Sequence, residues 1–239
     1  MILSQLFEES KTLKYNQANG MVKVEEMKGP GFFPGCRGTI DLVEDISGLR
    51  ILVLGQDFDT KSNHQKIDKA KGEIDTNTTW RNLRKLLKDL GIDETECFFT
   101  NAYMGLRPDD NKETKTKNTG TSPAAKKGAE KFADDCYQFF KKQLEVVQPE
   151  VVLVLGKETA KFVSKVFPHE CSKWAEIKTL KSFYNEEDNI SVTVRFDEMP
   201  IQFLFVIHPS LNNTNRSITW GREEGKTKEQ ELLRKYIRK

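Results

Sequence analysis

A carboxylate, a carboxamide and an imidazole each stand directly behind an apolar run in this chain. Asp57 follows Gly55-Gln56 after Ile51-Leu52-Val53-Leu54, and Asn101 follows Cys97-Phe98-Phe99-Thr100. His208, with Pro209 and Ser210 behind it, follows Phe203-Leu204-Phe205-Val206-Ile207. A carboxylate can orient water or stabilise a cation, and a neutral imidazole can donate to a developing anion. A carboxamide offers donor and acceptor side by side. Taken singly, each has a plainer role: Asp57 as the cap of a turn or helix, Asn101 as a loop stabiliser, His208 as a satisfied polar residue at a strand end. Delivered together to one edge of a sheet, they are the parts of a site.

The elements that must deliver them alternate along the chain. Ile51–Leu54 is a continuous apolar run, as expected of a strand buried on both faces. Asn77 or Thr78 can cap a helix that carries Trp80, Leu83, Leu86, Leu87 and Leu90 at three-to-four spacing, with Gly91 as its stop. Cys97–Thr100 is a second strand. Residues 124–147 read as a long helix ended by Pro149, Val151–Leu155 as a strand, and 157–167 as a helix. Ser191–Phe196 and Ile201–Ile207 read as strands, 222–238 as a terminal helix, and 168–190 carry no clear pattern. Strands alternating with helices imply a parallel sheet covered on both faces, and in such sheets ligands bind beyond the carboxyl ends of the strands. Gly156-Lys157 superficially resembles a nucleotide loop, but the glycine spacing of a dinucleotide or P-loop fingerprint is absent.

At 239 residues the chain suits one well-buried core. Hydrophobic residues at 37% exclude a disordered chain, and no apolar run approaches the ~20 residues that span a bilayer. Met1 to Leu13 reads as an amphipathic helix and unlike a signal peptide, so an intracellular location is expected. Residues 14–48 read as turn-rich, with Phe32 and Phe33 either plugging the core edge or facing a ligand. The four cysteines (Cys36, Cys97, Cys136, Cys171) are scattered, which excludes a disulfide framework and tight metal-ligand spacing. Lysines cluster between Lys112 and Lys131 and again in the last residues. Such patches can neutralise phosphates, although on charge alone a solvated lysine-rich surface is the commoner reading. The long loop 107–123 is of a length that is more often functional or mobile than accidental.

Four of these segments resemble, in order, the motifs of the uracil-DNA glycosylase superfamily. Val53-Leu54-Gly55-Gln56-Asp57 is similar to its first motif, and Phe98-Phe99-Thr100-Asn101-Ala102 with Arg107-Pro108 to the strand whose Asn reads the base. Gln148-Pro149-Glu150-Val151 to Gly156 resembles a third strand, and His208-Pro209-Ser210-Leu211 the His-Pro-Ser motif that opens a leucine intercalation loop. Thr79-Trp80-Arg81-Asn82-Leu83 occupies the place of the family's first helix. The resemblance covers roughly residues 48–222. It departs after the acid: many members continue with Pro-Tyr, whose Tyr shuts out the methyl of thymine, and this chain has Phe58-Asp59. No Phe, Tyr or Trp follows in 60–77, so Phe58, His64 or the Phe32-Phe33 pair are the stacking candidates. Some members hold an iron–sulfur cluster; Leu106 stands at one ligand position and the amino-terminal cysteine pair is missing, so no cofactor and no metal are expected.

The resemblance implies a three-layer α/β/α fold around a central, mostly parallel four-stranded sheet. It would form one domain over 1–239, with 1–47 an extension packed on it. It implies hydrolysis of the N-glycosidic bond of uracil or a related damaged base in DNA by a monomer. Asp57 would orient water and His208 would stabilise the leaving base. Asn101 would read the base, Gln56 would line the pocket through its backbone, Phe58 would be a substrate contact, Ser210 would hold phosphate, and Leu211 would fill the place of the extruded base. Cleavage passes through an oxocarbenium-like sugar, and the base must leave the stack to be reached. The alternatives are an inactive member that binds DNA or a protein, and a small-molecule hydrolase on a doubly wound sheet.

Overall fold

The computed structural model describes residues 3–13, 22–23, 48–60, 62–63, 77–110, 129–221 and 223–237. Its elements open with α1 (Leu3–Ser10), β1 (Val22–Lys23), β2 (Ile51–Gly55), α2 (Thr78–Leu90), β3 (Cys97–Asn101), β4 (Gly105–Leu106) and α3 (Glu130–Val147). They continue with β5 (Val151–Leu155), α4 (Lys157–Val166), α5 (Ser172–Ala175), α6 (Leu180–Tyr184), β6 (Ser191–Phe196), β7 (Met199–Val206), α7 (Asn212–Trp220) and α8 (Lys228–Arg234). The Phe32-Phe33 pair, Cys36, His64 and the lysines from 112 to 127 lie outside the described residues.

The main sheet has the order β3-β2-β5-β7-β6. The first four strands are parallel, and β6 joins β7 antiparallel at the edge. The expected mostly parallel sheet is therefore present, with a fifth strand added to its four parallel ones. Every residue of β2, β3 and β5 is buried, whereas β6 is half exposed. Both faces of β2, β3 and β5 are covered by packed side chains, β3 included although it is the other edge strand, whereas the antiparallel β6 is left half open.

Successive side chains of a strand point to opposite faces, and this divides the core in two. Leu52, Leu54, Phe98, Val152, Phe203 and Phe205 join Phe132, Phe140, Phe162 and Trp174 of α3, α4 and α5. Ile51, Val53, Phe99, Leu153 and Leu204 meet Trp80, Leu83 and Leu87 of α2 and Leu233 of α8. The result is helices, sheet, helices. Helix α1 packs on α3, with Leu6 fully buried and Glu9 paired with Lys142 at 2.6 Å.

Helix α2 has the ends its sequence demands. The Asn77 side chain accepts from the amides of Thr79 and Trp80, and Gly91 turns left-handed at φ 74° to close the last turn. The terminal helix is shorter than 222–238. Gly221 sits at φ 89° and a single turn over Glu224–Lys226 precedes α8. Helix α7 was not legible in Asn212-Asn213-Thr214-Asn215, residues that favour caps and turns over helix interiors. No described helix is long and apolar enough to cross a membrane.

Candidate active site

Strands β3, β2, β5 and β7 end side by side, and the chemistry-bearing residues extend from those ends. Asn101 closes β3 in register with Gly55 of β2, and Leu155 of β5 is in register with Val206 of β7. The order of connection reverses at β2, which has β3 on one side and β5 on the other. In open α/β sheets ligands bind beyond the carboxyl edge at such a reversal. Asn101 and His208 stand at this edge three strand spacings apart, about 14 Å of sheet.

Beyond β2 the backbone stays zipped to the segment after β3. Ala102 N–H donates to Gly55 O at 2.8 Å and Tyr103 N–H to Gln56 O at 2.9 Å. The Gln56 carbonyl is thus occupied, while its side-chain Nε2 is buried with no hydrogen-bond partner among the described residues. The sequence assigned Gln56 to the pocket through its backbone; the group left with donor capacity is its carboxamide.

Asp57 is held in place from two sides. Its side chain is 3% exposed. Oδ1 accepts from Asp59 N–H at 2.8 Å and from the Arg107 guanidinium at 3.2 Å. Arg107 Nε lies 2.9 Å from Oδ2, yet neither atom makes an aligned hydrogen bond there, so that contact is ionic. Burial pushes the Asp57 carboxyl above its usual range, and Arg107 opposes the shift. Asp59 has the left-handed φ of 69°, a conformation Asp tolerates better than most residues. It is 41% exposed at the side chain and accepts from Thr60 N–H, Asn63 Nδ2 and Arg107. Arg107 therefore bridges both acids, and its own N–H donates to Asp59 O at 2.8 Å. Sequence reasoning placed Arg107-Pro108 in a motif without giving the guanidinium this task. Phe58, between the two acids, turns into the larger apolar cluster and is 7% exposed.

His208 is fixed by the residue two positions along the chain. Ser210 N–H donates to Nδ1 at 3.3 Å, and Ser210 Oγ lies 2.8 Å from the same atom. An amide can only donate, so Nδ1 is an acceptor and the neutral ring carries its proton on Nε2. Burial lowers the His208 pKa, which favours that neutral form. Gly156, at φ 87°, brings its backbone against the ring, and a Cβ there would stand 3.0 Å from His208 Cβ. Asn82 of α2 donates to Pro209 O at 2.8 Å. Ser210 is thus a partner of His208, and Leu211 ends the single helical turn Pro209–Leu211. Asn101 is 3% exposed.

A cleft of about 860 Å³ lies at the other edge of the sheet, lined by Arg50, Glu150, Gln202 and Tyr236. It is far from these residues, and Arg50 in it is already paired with Glu150 at 3.1 Å. Among the described residues, no three His, Cys, Asp or Glu side chains are grouped as a metal ion requires.

A family sequence profile described as the uracil DNA glycosylase superfamily matches residues 44–238. No curated protein sequence matches the chain.

Proposed function

Because the chain belongs to the uracil DNA glycosylase superfamily, we propose that it hydrolyses the N-glycosidic bond of uracil or a related damaged base in DNA. The base leaves the stack and enters the crevice between the ends of β3 and β7. Asn101 presents donor and acceptor to its edge, and the Gln56 carboxamide supplies a further donor. As the bond lengthens, cationic charge grows on the sugar and negative charge on the departing pyrimidine. Asp57 stabilises the first and orients the attacking water. The Nε2–H of neutral His208 donates to the second, as an oxyanion donor does. Leu211, at the end of the turn after His208, fills the place the base left.

One observation carries this reading: Ser210 leaves the imidazole with its proton on Nε2, at the sheet edge that also bears Asp57 and Asn101. The test is release of base from uracil-containing single- and double-stranded oligonucleotides, read as alkali-labile abasic sites. Wild-type protein should produce them, and Asp57→Asn and His208→Ala should each lower the rate at least ~100-fold.

A second reading, a superfamily member that binds DNA or a protein without cleaving, draws on a specific feature. Arg107 already neutralises the Asp57 carboxylate, and Phe58 is turned into the core. DNA affinity without any abasic product from the wild-type protein would select it.

A further inference from the structure

Helix α8 buries a carboxylate that has no part in the chemistry proposed above. Glu229 is 1% exposed. Its Oε1 accepts from Ile207 N–H at 2.6 Å, the amide immediately before His208. Its Oε2 accepts from Arg216 Nε at 2.7 Å and from a second nitrogen of the same guanidinium. Arg216 is 8% exposed and lies on α7, the helix that comes after Pro209–Leu211. One carboxylate therefore grips the chain on both sides of His208. The turn ahead of α8 is fitted to this grip, because a Cβ on Gly225 would stand 2.7 Å from Arg216 O. The Tyr184 phenol of α6 is buried beside the pair, with no aligned hydrogen bond among the described residues, and burial holds its pKa well above the usual 10.

A buried ion pair is a poor source of stability, since desolvation of both charges offsets most of their attraction and apolar residues of similar volume do as well. What it supplies here is direction. A two-pronged guanidinium and an amide fix one carboxylate in three directions, and that carboxylate fixes the two chain segments that lead into and out of His208.

We infer that Glu229 and Arg216 are positioning residues that hold the segment from Ile207 to Arg216 and thereby set the His208 imidazole at the sheet edge. The inference rests on the role given to His208 above. It predicts that loosening the clamp alters His208 before it alters the fold.

Three variants separate the possibilities. R216M/E229Q removes both charges together and keeps an acceptor for Ile207 N–H, so no unpaired charge is left in the core. R216M/E229M removes the acceptor as well. R216K keeps the charge and loses the fork. His208 titration is followed by NMR of the imidazole protons, with the His208→Ala spectrum identifying its signals among the three histidines. Base release is followed in parallel. The expected result is a His208 pKa that rises toward its ordinary 6.5 in R216M/E229M as water reaches the ring, less so in R216M/E229Q. With it, kcat should fall about 100-fold, as for a misplaced catalytic group, while KM stays within about threefold, and R216K should lie between. Cooperatively folded double variants with wild-type His208 titration and wild-type kcat would overturn the inference. If the titration moves but His208→Ala releases base as fast as wild type, the clamp stands and the catalytic reading of His208 falls.

Discussion

Burial lowers the pKa of His208 below its ordinary 6.5, so the folded protein binds fewer protons than the unfolded chain as pH drops through that region. Stability then rises with pH. The neutral imidazole contributes stability that is fully present above about 6.5 and is lost as pH falls toward the lowered folded value. Asp57 and Glu229 act with the opposite sign, because burial raises them above 3.8 and 4.5. Their contributions are complete below those values and are lost as pH rises through the raised ones. Urea melts of wild type and His208→Gln at pH 7 and pH 5 isolate the histidine: acidification should destabilise wild type more than the variant. An equal loss in both would mean that His208 is solvated. Base release should track the same protonation, with an acid limb that falls below pH 6.5 and depends on His208.

At the scale of elements, two left-handed glycines report on different things. Gly91 ends α2 at φ 74° with open space where a Cβ would go, so Gly91→Ala costs about 1 kcal/mol of backbone strain and leaves activity unchanged. Gly156 ends β5 at φ 87° with His208 packed on it, so Gly156→Ala should cost more and also displace the imidazole. Comparing urea midpoints and base release for the two separates strain from displacement. Most of the elements were legible for local reasons. Inner parallel strands read as unbroken apolar runs, and α2 carried both its cap and its stop. The positions of Asp57, Asn101 and His208 followed from strand ends. Arg107 and Glu229 were not legible, because their tasks arise from contacts across 50 and 22 residues of chain that no local pattern encodes. The short strand pair β1–β4 and helix α7 lacked any apolar periodicity to betray them.

Across the whole molecule, the sheet separates two apolar layers. Phe205 is fully buried and meets Phe183, Tyr184 and Trp174 at ring separations of 4.9, 5.7 and 6.3 Å. Phe205→Ala should cost about 3–5 kcal/mol in denaturant melts. Cys97, Cys136 and Cys171 are buried, with the last two pushed up to about 12 by desolvation. Alkylation of native protein at pH 8, read by mass spectrometry, should therefore spare all three until the core opens. Every strand of the sheet precedes Glu229 in the chain. A polypeptide emerging from the ribosome can thus complete its sheet while Ile207 still lacks the carboxylate that grips it, so the edge bearing the imidazole can be fastened only after Glu229 has followed.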